Sequence, residues 1–116
     1  MMRSKIHQAR VTAIDPDYEG SISIGTDLLR KADIVRFEQV HVLNAETGTR
    51  VVTYAIEATD PGTMQVNGAA AHGFTEGDRV IVIAYTLTDD VGAELLRPRI
   101  VLCDEANRPR LAEGHR

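Results

Sequence analysis

At 116 residues the chain has room for one domain and one core, since a domain of this size buries only about two thirds of the surface that its unfolded chain exposes. A hydrophobic content of 43% is typical of globular proteins, and a net charge of −4 without a basic run argues against a surface that neutralises nucleic-acid phosphates. One cysteine, scattered charges in the first 20 residues and a longest apolar run of only 80–85 argue against disulfides, a signal segment and a membrane span, so we expect a cytoplasmic protein.

The first part of the chain predicts two strands and a short helix. Residues 5–14 have a β-compatible composition that ends before Pro16, because proline removes a ladder donor and restricts the residue before it. Residues 21–24 predict a second strand that follows this turn. A short helix is expected over 27–32, with Thr26 as its N-cap.

The middle of the chain predicts a hairpin and a turn of small residues. Two β-rich runs, 37–43 and 50–58, are separated by a loop that contains Asn and Gly, both typical of hairpin connections. Residues 64–66 predict another strand. The tiny residues of 67–73 then predict a tight turn that can bring backbone N–H groups close to a ligand.

The last part predicts two further strands and a tail. A turn at 75–78 precedes a strand over 79–87, a second strand is expected over 99–102, and a polar tail follows after about residue 107. Many short strands with one or two short helices are typical of a mainly β protein and favour a small β-barrel.

The common catalytic and metal-binding motifs are missing from the sequence. It contains no paired cysteines, no His-Glu-x-x-His, no phosphate-binding loop and no Gly-x-Ser-x-Gly. The histidines at positions 7, 41, 72 and 115 do not have the spacing of metal ligands, so no metal is predicted.

Three short segments stand out together: Tyr-Glu-Gly-Ser at 18–21, Arg-Val-Val-Thr-Tyr-Ala at 50–55 and Asn-Gly-Ala-Ala-Ala-His at 67–72. In this order and spacing they make the chain resemble the bacterial aspartate 1-decarboxylase family. The resemblance extends from Lys-Ile-His at 5–7 to Asp-Glu-Ala-Asn at 104–107, which is nearly the whole chain.

The resemblance implies a fold, an assembly and an activity. The fold would be a six-stranded double-psi β-barrel with short helices, in a single domain over 1–116, assembled as a homotetramer with active sites between neighbouring subunits. The activity would be decarboxylation of L-aspartate to β-alanine and CO2, for pantothenate synthesis, through an imine with a covalent pyruvoyl group.

The adjacent Gly20 and Ser21 give that pyruvoyl group a source. Ser21 Oγ can attack the Gly20 carbonyl carbon, which turns the amide into an ester, and a tight turn at a glycine permits this approach. Loss of the Ser21 Cα proton then releases the Gly20 carboxylate, and hydrolysis with loss of ammonia leaves the pyruvoyl group. With or without a maturation partner, the chain would become fragments 1–20 and 21–116.

The resemblance also implies roles for four side chains. Thr53 would assist the cut by donating to the oxyanion that forms at Gly20. Tyr54 would be the proton donor to the decarboxylated substrate. Arg50 and Lys5 would bind the two carboxylates of aspartate, Arg50 through its planar pair of donors.

The remaining residues implied as substrate-binding are His7, Asn67, Gly68, Ala69 and Ala70. Asn67 would donate a hydrogen bond to the reacting carbonyl, and the three residues after it would offer backbone donors and leave space. His7 would adjust the charge or the orientation of neighbouring groups. Without the resemblance, each residue reads as an ordinary surface, strand or turn residue.

Two other functions fit parts of the sequence. One is a non-catalytic barrel that binds a ligand or a protein, which would explain the turns but not the combined occurrence of these residues. The other is a pyruvoyl decarboxylase of another acidic amino acid. Two positions depart from the family pattern, Pro16 just before the cleavage turn and Leu43 where an aromatic residue is usual.

Overall fold

Short strands dominate residues 1–110, the part of the chain that the computed structural model describes. The strands are β1 (Met2–Arg10), β2 (Ala13–Asp15), β3 (Ser21–Gly25), β4 (Gln39–Asn44), β5 (Arg50–Ala58), β6 (Met64–Asn67), β7 (Arg79–Tyr85), β8 (Arg99–Cys103) and β9 (Pro109–Arg110). The helices are α1 (Thr26–Ala32), a 3-10 helix (Gly68–Gly73) and α2 (Asp90–Leu95).

The strands follow one another in the spatial order β2-β6-β3-β5-β4-β7-β1-β8-β9. Three neighbouring pairs are parallel, β1 with β8, β2 with β6 and β3 with β5, and the other pairs are antiparallel. The prediction of a mainly β protein with short helices is therefore confirmed. Closure of six of these strands into a double-psi barrel stays a prediction.

One face of this sheet forms the core, because alternate residues of a strand point to opposite sides. The fully buried strand residues include Ile6, Ile22, Ile24, Val40, Val42, Ala55, Val66, Val80 and Val82. Helix α1 closes the core with Leu28, Leu29 and Ala32, which are also buried. The residues between the core positions form the other face of the sheet, which we call the outer face.

The predicted hairpin over the middle of the chain is confirmed. Strands β4 and β5 pair antiparallel, and the Asn44 amide nitrogen donates to the Thr49 carbonyl across the loop at 2.8 Å. The strand itself begins at Gln39 rather than at Phe37, because Phe37 adopts a φ of +72°, outside the range of regular extended backbone.

The single strand predicted over 5–14 is wrong, because the chain changes its pairing partners in the middle. Strand β1 ends at Arg10, where the Asn107 side chain accepts from the Arg10 amide and donates to the Arg10 carbonyl, both at 2.8 Å. The Thr12 amide then donates to the Met64 carbonyl at 2.9 Å, and β2 continues beside β6.

Two helix details also differ from the predictions. Gly25, not Thr26, is the N-cap of α1, and the Thr26 hydroxyl donates to the Ala58 carbonyl at 3.0 Å instead. Helix α2 was not predicted. It begins after Asp89, whose side chain accepts from the Gly92 amide at 2.8 Å, and it buries none of its residues.

The chain end that was predicted as a polar tail is partly described. Pro109–Arg110 forms β9 on the edge of β8, and the rest of the predicted tail lies outside the described residues. Within 1–110, no helix is long and apolar enough to cross a membrane.

Candidate active site

Ser21 is a buried hydroxyl at the first position of β3, directly after the exposed Gly20. The Ser21 side chain is 1% exposed, yet it lines a cleft of about 640 Å³. The residues lining this Ser21 cleft are Tyr18, Glu19, Ser21, Thr26, Arg36, Phe37, Tyr54, Ile56, Glu57 and Thr59. The turn that begins at Pro16 brings Tyr18 and Glu19 over the start of the strand.

Asn67 holds the hydroxyl of Ser21 in place. Ser21 and Asn67 are paired residues of β3 and β6, and Asn67 is fully buried. Its Nδ2 donates to Ser21 Oγ at 2.9 Å and to Ser23 Oγ at 3.1 Å. Ser21 Oγ in turn contacts the Glu19 carbonyl oxygen at 3.5 Å, a long distance for a hydrogen bond. The Ser21 oxygen therefore has a fixed donor on one side and a nearby acceptor for its proton on the other.

Gly68 packs directly against the backbone of the predicted cleavage site. A Cβ atom at Gly68 would lie 2.7 Å from the Gly20 Cα and 2.8 Å from the Gly20 nitrogen, and Gly68 has a φ of +75°. Only a residue without a side chain allows this approach and this backbone conformation. Gly68 thereby supports the turn that places the Gly20 carbonyl next to Ser21.

Strand β5 brings Tyr54 and Thr53 to the same place. Strands β3 and β5 are parallel with Ile22 opposite Ala55, so counting back along this register puts Ser21 beside Tyr54 and Gly20 beside Thr53. Tyr54 shares the Ser21 cleft, whereas Thr53 is a half-buried residue that does not line it. We call Gly20, Ser21, Thr53, Tyr54, Asn67 and Gly68 the Ser21 cluster.

An aromatic and a cationic group border Tyr54 in the Ser21 cleft. The rings of Phe37 and Tyr54 have centroids 6.1 Å apart, and the Arg36 guanidinium lies 4.7 Å from the centroid of Phe37. Arg36 also faces Glu57 at 3.8 Å. Within the described part of the chain, Arg36 is the single basic residue among those that line this cleft.

The predicted carboxylate-binding residues lie elsewhere on the outer face. Arg50 precedes Tyr54 by four residues on the same strand, which places their Cα atoms about 13 Å apart. Arg50 is exposed, and its Nη1 lies 2.9 Å from His41 Nδ1. The His41 ring is itself in edge contact with Tyr85, with ring centroids 4.9 Å apart.

Lys5 is separated from the Ser21 cluster in the same way. It pairs with Ile83, which pairs with His41, which pairs with Val52, so Lys5 is three strands or about 14 Å away from β5 along the sheet. His7 lies two residues further along β1, opposite Leu102 of β8. We call Lys5, His7 and Arg50 the basic group.

The other predicted residues lie close to Asn67. Gly68 opens the 3-10 helix and is followed by the exposed Ala69 and by Ala70, which packs against the core.

Of the two departures from the family pattern, Leu43 pairs with Arg50 across β4 and β5, and Pro16 is an exposed turn residue before the Ser21 cleft.

Gln65 and Ser23, which both hydrogen-bond Asn67, were not predicted as site residues from the sequence. Gln65 Nε2 donates to Asn67 Oδ1 at 2.8 Å, and Ser23 accepts the second hydrogen of the Asn67 amide. A weak sequence signal for both exists, since positions 21 and 23 and positions 65 and 67 are polar alternate residues of two strands and share a face. Only the pairing of β3 with β6 shows that these polar residues lie side by side.

Cys103 is a buried free thiol at the end of β8. Burial raises the pKa of the Cys103 thiol to about 12, so the thiol stays protonated and poorly nucleophilic near neutral pH. Among residues 1–110, no group of three or more His, Cys, Asp and Glu side chains could hold a metal ion.

Comparison with known proteins gives matches over nearly the whole chain. The family described as aspartate decarboxylase matches residues 1–110. A protein of Thermoanaerobacter pseudethanolicus described as aspartate 1-decarboxylase is 46% identical over 110 residues, which are 94% of this chain and 94% of that protein.

Proposed function

Because the chain belongs to the aspartate decarboxylase family, we propose that it cuts its own peptide bond between Gly20 and Ser21 to make its cofactor. The family activity is that of a carboxy-lyase, which converts L-aspartate to β-alanine and CO2 for pantothenate synthesis. It depends on a covalent pyruvoyl group made from a serine. The observation that carries the proposal is the buried Ser21 hydroxyl held at 2.9 Å by Asn67 beside an exposed glycine.

The surroundings of Ser21 fit a pyruvoyl group. The group would stay attached to Ile22 at the start of β3, in a space that already holds a serine side chain, and Asn67 would keep a donor directed at its oxygen. When present, the group supplies a ketone that accepts electrons during decarboxylation of an amino acid, in the place of pyridoxal phosphate. The neighbouring Ser21 cleft offers room for the substrate.

The Ser21 cluster supplies what the cut requires. Ser21 Oγ bonds to the Gly20 carbonyl carbon, the C–N bond of the peptide breaks, and the hydroxyl proton passes to the amine nitrogen, which yields an ester. Asn67 stabilises charge on Ser21 Oγ, and Thr53, level with Gly20, donates to the Gly20 oxyanion. One such donor contributes about 3 kcal/mol to the transition state.

Tyr54 acts on the substrate rather than on the chain. It lies beside Ser21 across β3 and β5 and faces the Ser21 cleft, where its hydroxyl can deliver a proton to the carbon that loses CO2. The Tyr54 ring packs against the tilted ring of Phe37, with ring centroids 6.1 Å apart.

The basic group completes the site from a second subunit. Within one chain, Arg50 and Lys5 are about 13–14 Å from the Ser21 cluster along the sheet, further than one side chain spans. Both are on the outer face, where a second copy of the chain can present them to Ser21 of its neighbour. Arg50 would bind the side-chain carboxylate of aspartate and Lys5 the other, and His7 would adjust the charge or orientation of its neighbours. Ala69 and Ala70, next to Asn67, would offer backbone donors and leave space on the Ser21 side.

A homotetramer in which six strands of each subunit close as a double-psi barrel accommodates this arrangement. Support comes from the mixed sheet with its parallel pairs and from one continuous core on a single face of the sheet. The cytoplasmic location predicted from the sequence remains part of the proposal.

The first experiment measures the intact mass of the purified protein together with β-alanine production. We expect fragments 1–20 and 21–116, the second lighter than a serine-ended fragment, and CO2 release from aspartate but little from glutamate. Ser21→Ala should remain uncut and inactive. A parent chain that stays whole, or is cut elsewhere, would contradict the proposed cofactor source, and preference for glutamate would contradict the substrate.

The second experiment tests the shared site by mixing subunits. Chains with Ser21→Ala and chains with Arg50→Ala are co-expressed with different tags, and hybrids are isolated through both tags. If Ser21 and Arg50 of one site come from different subunits, random 1:1 mixing regenerates about a quarter of the sites. Hybrids as inactive as either variant alone would show that both residues act from the same chain.

A further inference from the structure

Gln65 fixes which end of the Asn67 amide faces Ser21. Its Nε2 donates to Asn67 Oδ1 at 2.8 Å, and the opposite end of that amide, Nδ2, donates to Ser21 Oγ at 2.9 Å. Asn67 is fully buried, so the amide has no water to exchange partners with. The relay Gln65–Asn67–Ser21 therefore runs in one direction from donor to acceptor.

The direction matters because an amide has two chemically different ends. With Nδ2 toward Ser21, the side chain stabilises the negative charge that builds on Oγ when the hydroxyl loses its proton. With Oδ1 toward Ser21, the Asn67 side chain could only accept a hydrogen bond from the Ser21 hydroxyl, and its oxygen would lie against the negative charge that develops on Oγ. The second hydrogen of Nδ2 also finds Ser23 Oγ at 3.1 Å, so both donors are used in the present orientation.

We propose that Gln65 is a positioning residue for self-cleavage, which acts by locking the Asn67 amide with its nitrogen toward Ser21. This inference rests on the proposed cut between Gly20 and Ser21. It assigns Gln65 no contact with the substrate. It predicts that the rate of cutting depends on whether position 65 presents a donor to Asn67 Oδ1.

Gln65→Glu tests the lock because it exchanges the donor for an acceptor of nearly the same shape. An ionised carboxylate repels Asn67 Oδ1 and favours the rotated amide, so we expect the cut to slow by about 100-fold at pH 8, the cost of losing one aligned donor. A protonated carboxyl can donate to Oδ1 and restore the orientation. Partial burial and this hydrogen bond both favour the neutral form, so the carboxyl should titrate above the ordinary glutamate value of about 4.3.

The experiment follows the intact mass of freshly synthesised chain against time in buffers from pH 5 to pH 8. For each pH the cutting rate of Gln65→Glu is divided by that of the parent, which removes the pH dependence that both share. Gln65→Met, of similar length but unable to donate or to ionise, is the matched control. We expect the rate ratio of Gln65→Glu to the parent to rise at least tenfold from pH 8 to pH 5. The ratio of Gln65→Met to the parent should be about tenfold below one at every pH.

The possible results separate the inference from the proposed function. A Gln65→Glu ratio that does not change with pH, or a Gln65→Met chain that is cut as fast as the parent, would overturn the role of Gln65 while the cut itself stands. If Gln65→Glu does not fold, as judged by its thermal melting, the rate of Gln65→Met decides alone. A parent that is never cut would overturn the proposed cofactor source and this inference together.

Discussion

Replacing Gly68 by alanine adds one methyl group at the closest contact of the predicted cleavage site. The new Cβ would lie 2.7 Å from the Gly20 Cα and 2.8 Å from the Gly20 nitrogen, both backbone atoms of a turn. Carbon atoms in contact are normally separated by about 3.5–4.0 Å, so the Gly20 segment has to move by roughly 1 Å. A φ of +75° adds about 1–2 kcal/mol of strain for any residue with a Cβ.

These two effects act on different measurable quantities. The strain lowers the free energy of unfolding, which should lower the melting temperature of the protein by several degrees. The displacement changes the distance between Ser21 Oγ and the Gly20 carbonyl carbon, and a misplacement of about 1 Å can slow a reaction by about 100-fold. We therefore expect Gly68→Ala to fold, to melt earlier and to remain largely uncut.

Gly48→Ala is the matched control for this experiment. Gly48 has a similar φ of +83°, but no atom lies within 4 Å of the position that its Cβ would take. Gly48→Ala should have a lower melting temperature than the parent, measured by calorimetry, and should be cut at the parental rate, measured by intact mass over time. Equal cutting of Gly68→Ala and the parent, or equal slowing of both variants, would refute the argument from the Gly20 contact.

Three further predictions concern the remaining site residues and the cysteine. Thr53→Ala should accumulate uncut chain, whereas Tyr54→Phe should be cut but release CO2 from aspartate about 10²–10⁴-fold more slowly. Intact mass and a CO2 assay distinguish the two roles. If both variants are cut and release CO2 like the parent, both proposed roles are wrong. Arg50→Lys should be cut normally and lose about 10- to 150-fold in kcat/KM for aspartate, since one charge-assisted hydrogen bond is lost, and an unchanged kcat/KM would remove Arg50 from the site. Because the pKa of the Cys103 thiol is about 12 in the folded protein against an ordinary 9.0, the thiol should resist an aromatic disulfide reagent at pH 8 and react once guanidinium unfolds the protein. The thiol ionises at lower pH in the unfolded chain, so the free energy of unfolding should fall as the pH rises above about 9. Rapid labelling of the folded protein would contradict the burial of Cys103.

The sequence predicted most of the strands because their residues alternate or are β-branched. The hairpin of β4 and β5 was predicted from its Asn and Gly loop, and both strands are present. Helix α2 was not predicted, although Asp89 is a readable N-cap, because Val91 and Leu95 are spaced as a helical face but are 67% and 69% exposed and bury nothing. A pattern without a packing partner gives a weak signal.

The sequence indicated candidate site residues but not how they are arranged in space. The order of the short segments indicated Ser21, Tyr54 and Asn67, whereas their proximity follows from β3 lying between β5 and β6. The role inferred for Gln65 depends on that same pairing, since nothing adjacent in sequence connects it to Ser21. The distance of about 13 Å between Arg50 and Tyr54 could be counted along the strand predicted over 50–58, whereas the distance of Lys5 required the strand order.

Strand β1 lies between β7 and β8, and the proposed cut after Gly20 would make the subunit a two-chain molecule. A cut after Gly20 leaves β1 and β2 on the short fragment, where β1 pairs with both of its neighbours and β2 with β6. The fragment would thus be retained without a covalent bond, through strand pairing and through Ile6 and Ala9, which are part of the core. Unfolding then also dissociates two chains, so refolding becomes a bimolecular reaction whose yield rises with concentration. Newly made chain has to fold before it is cut, since only the uncut form can find this arrangement within a single molecule.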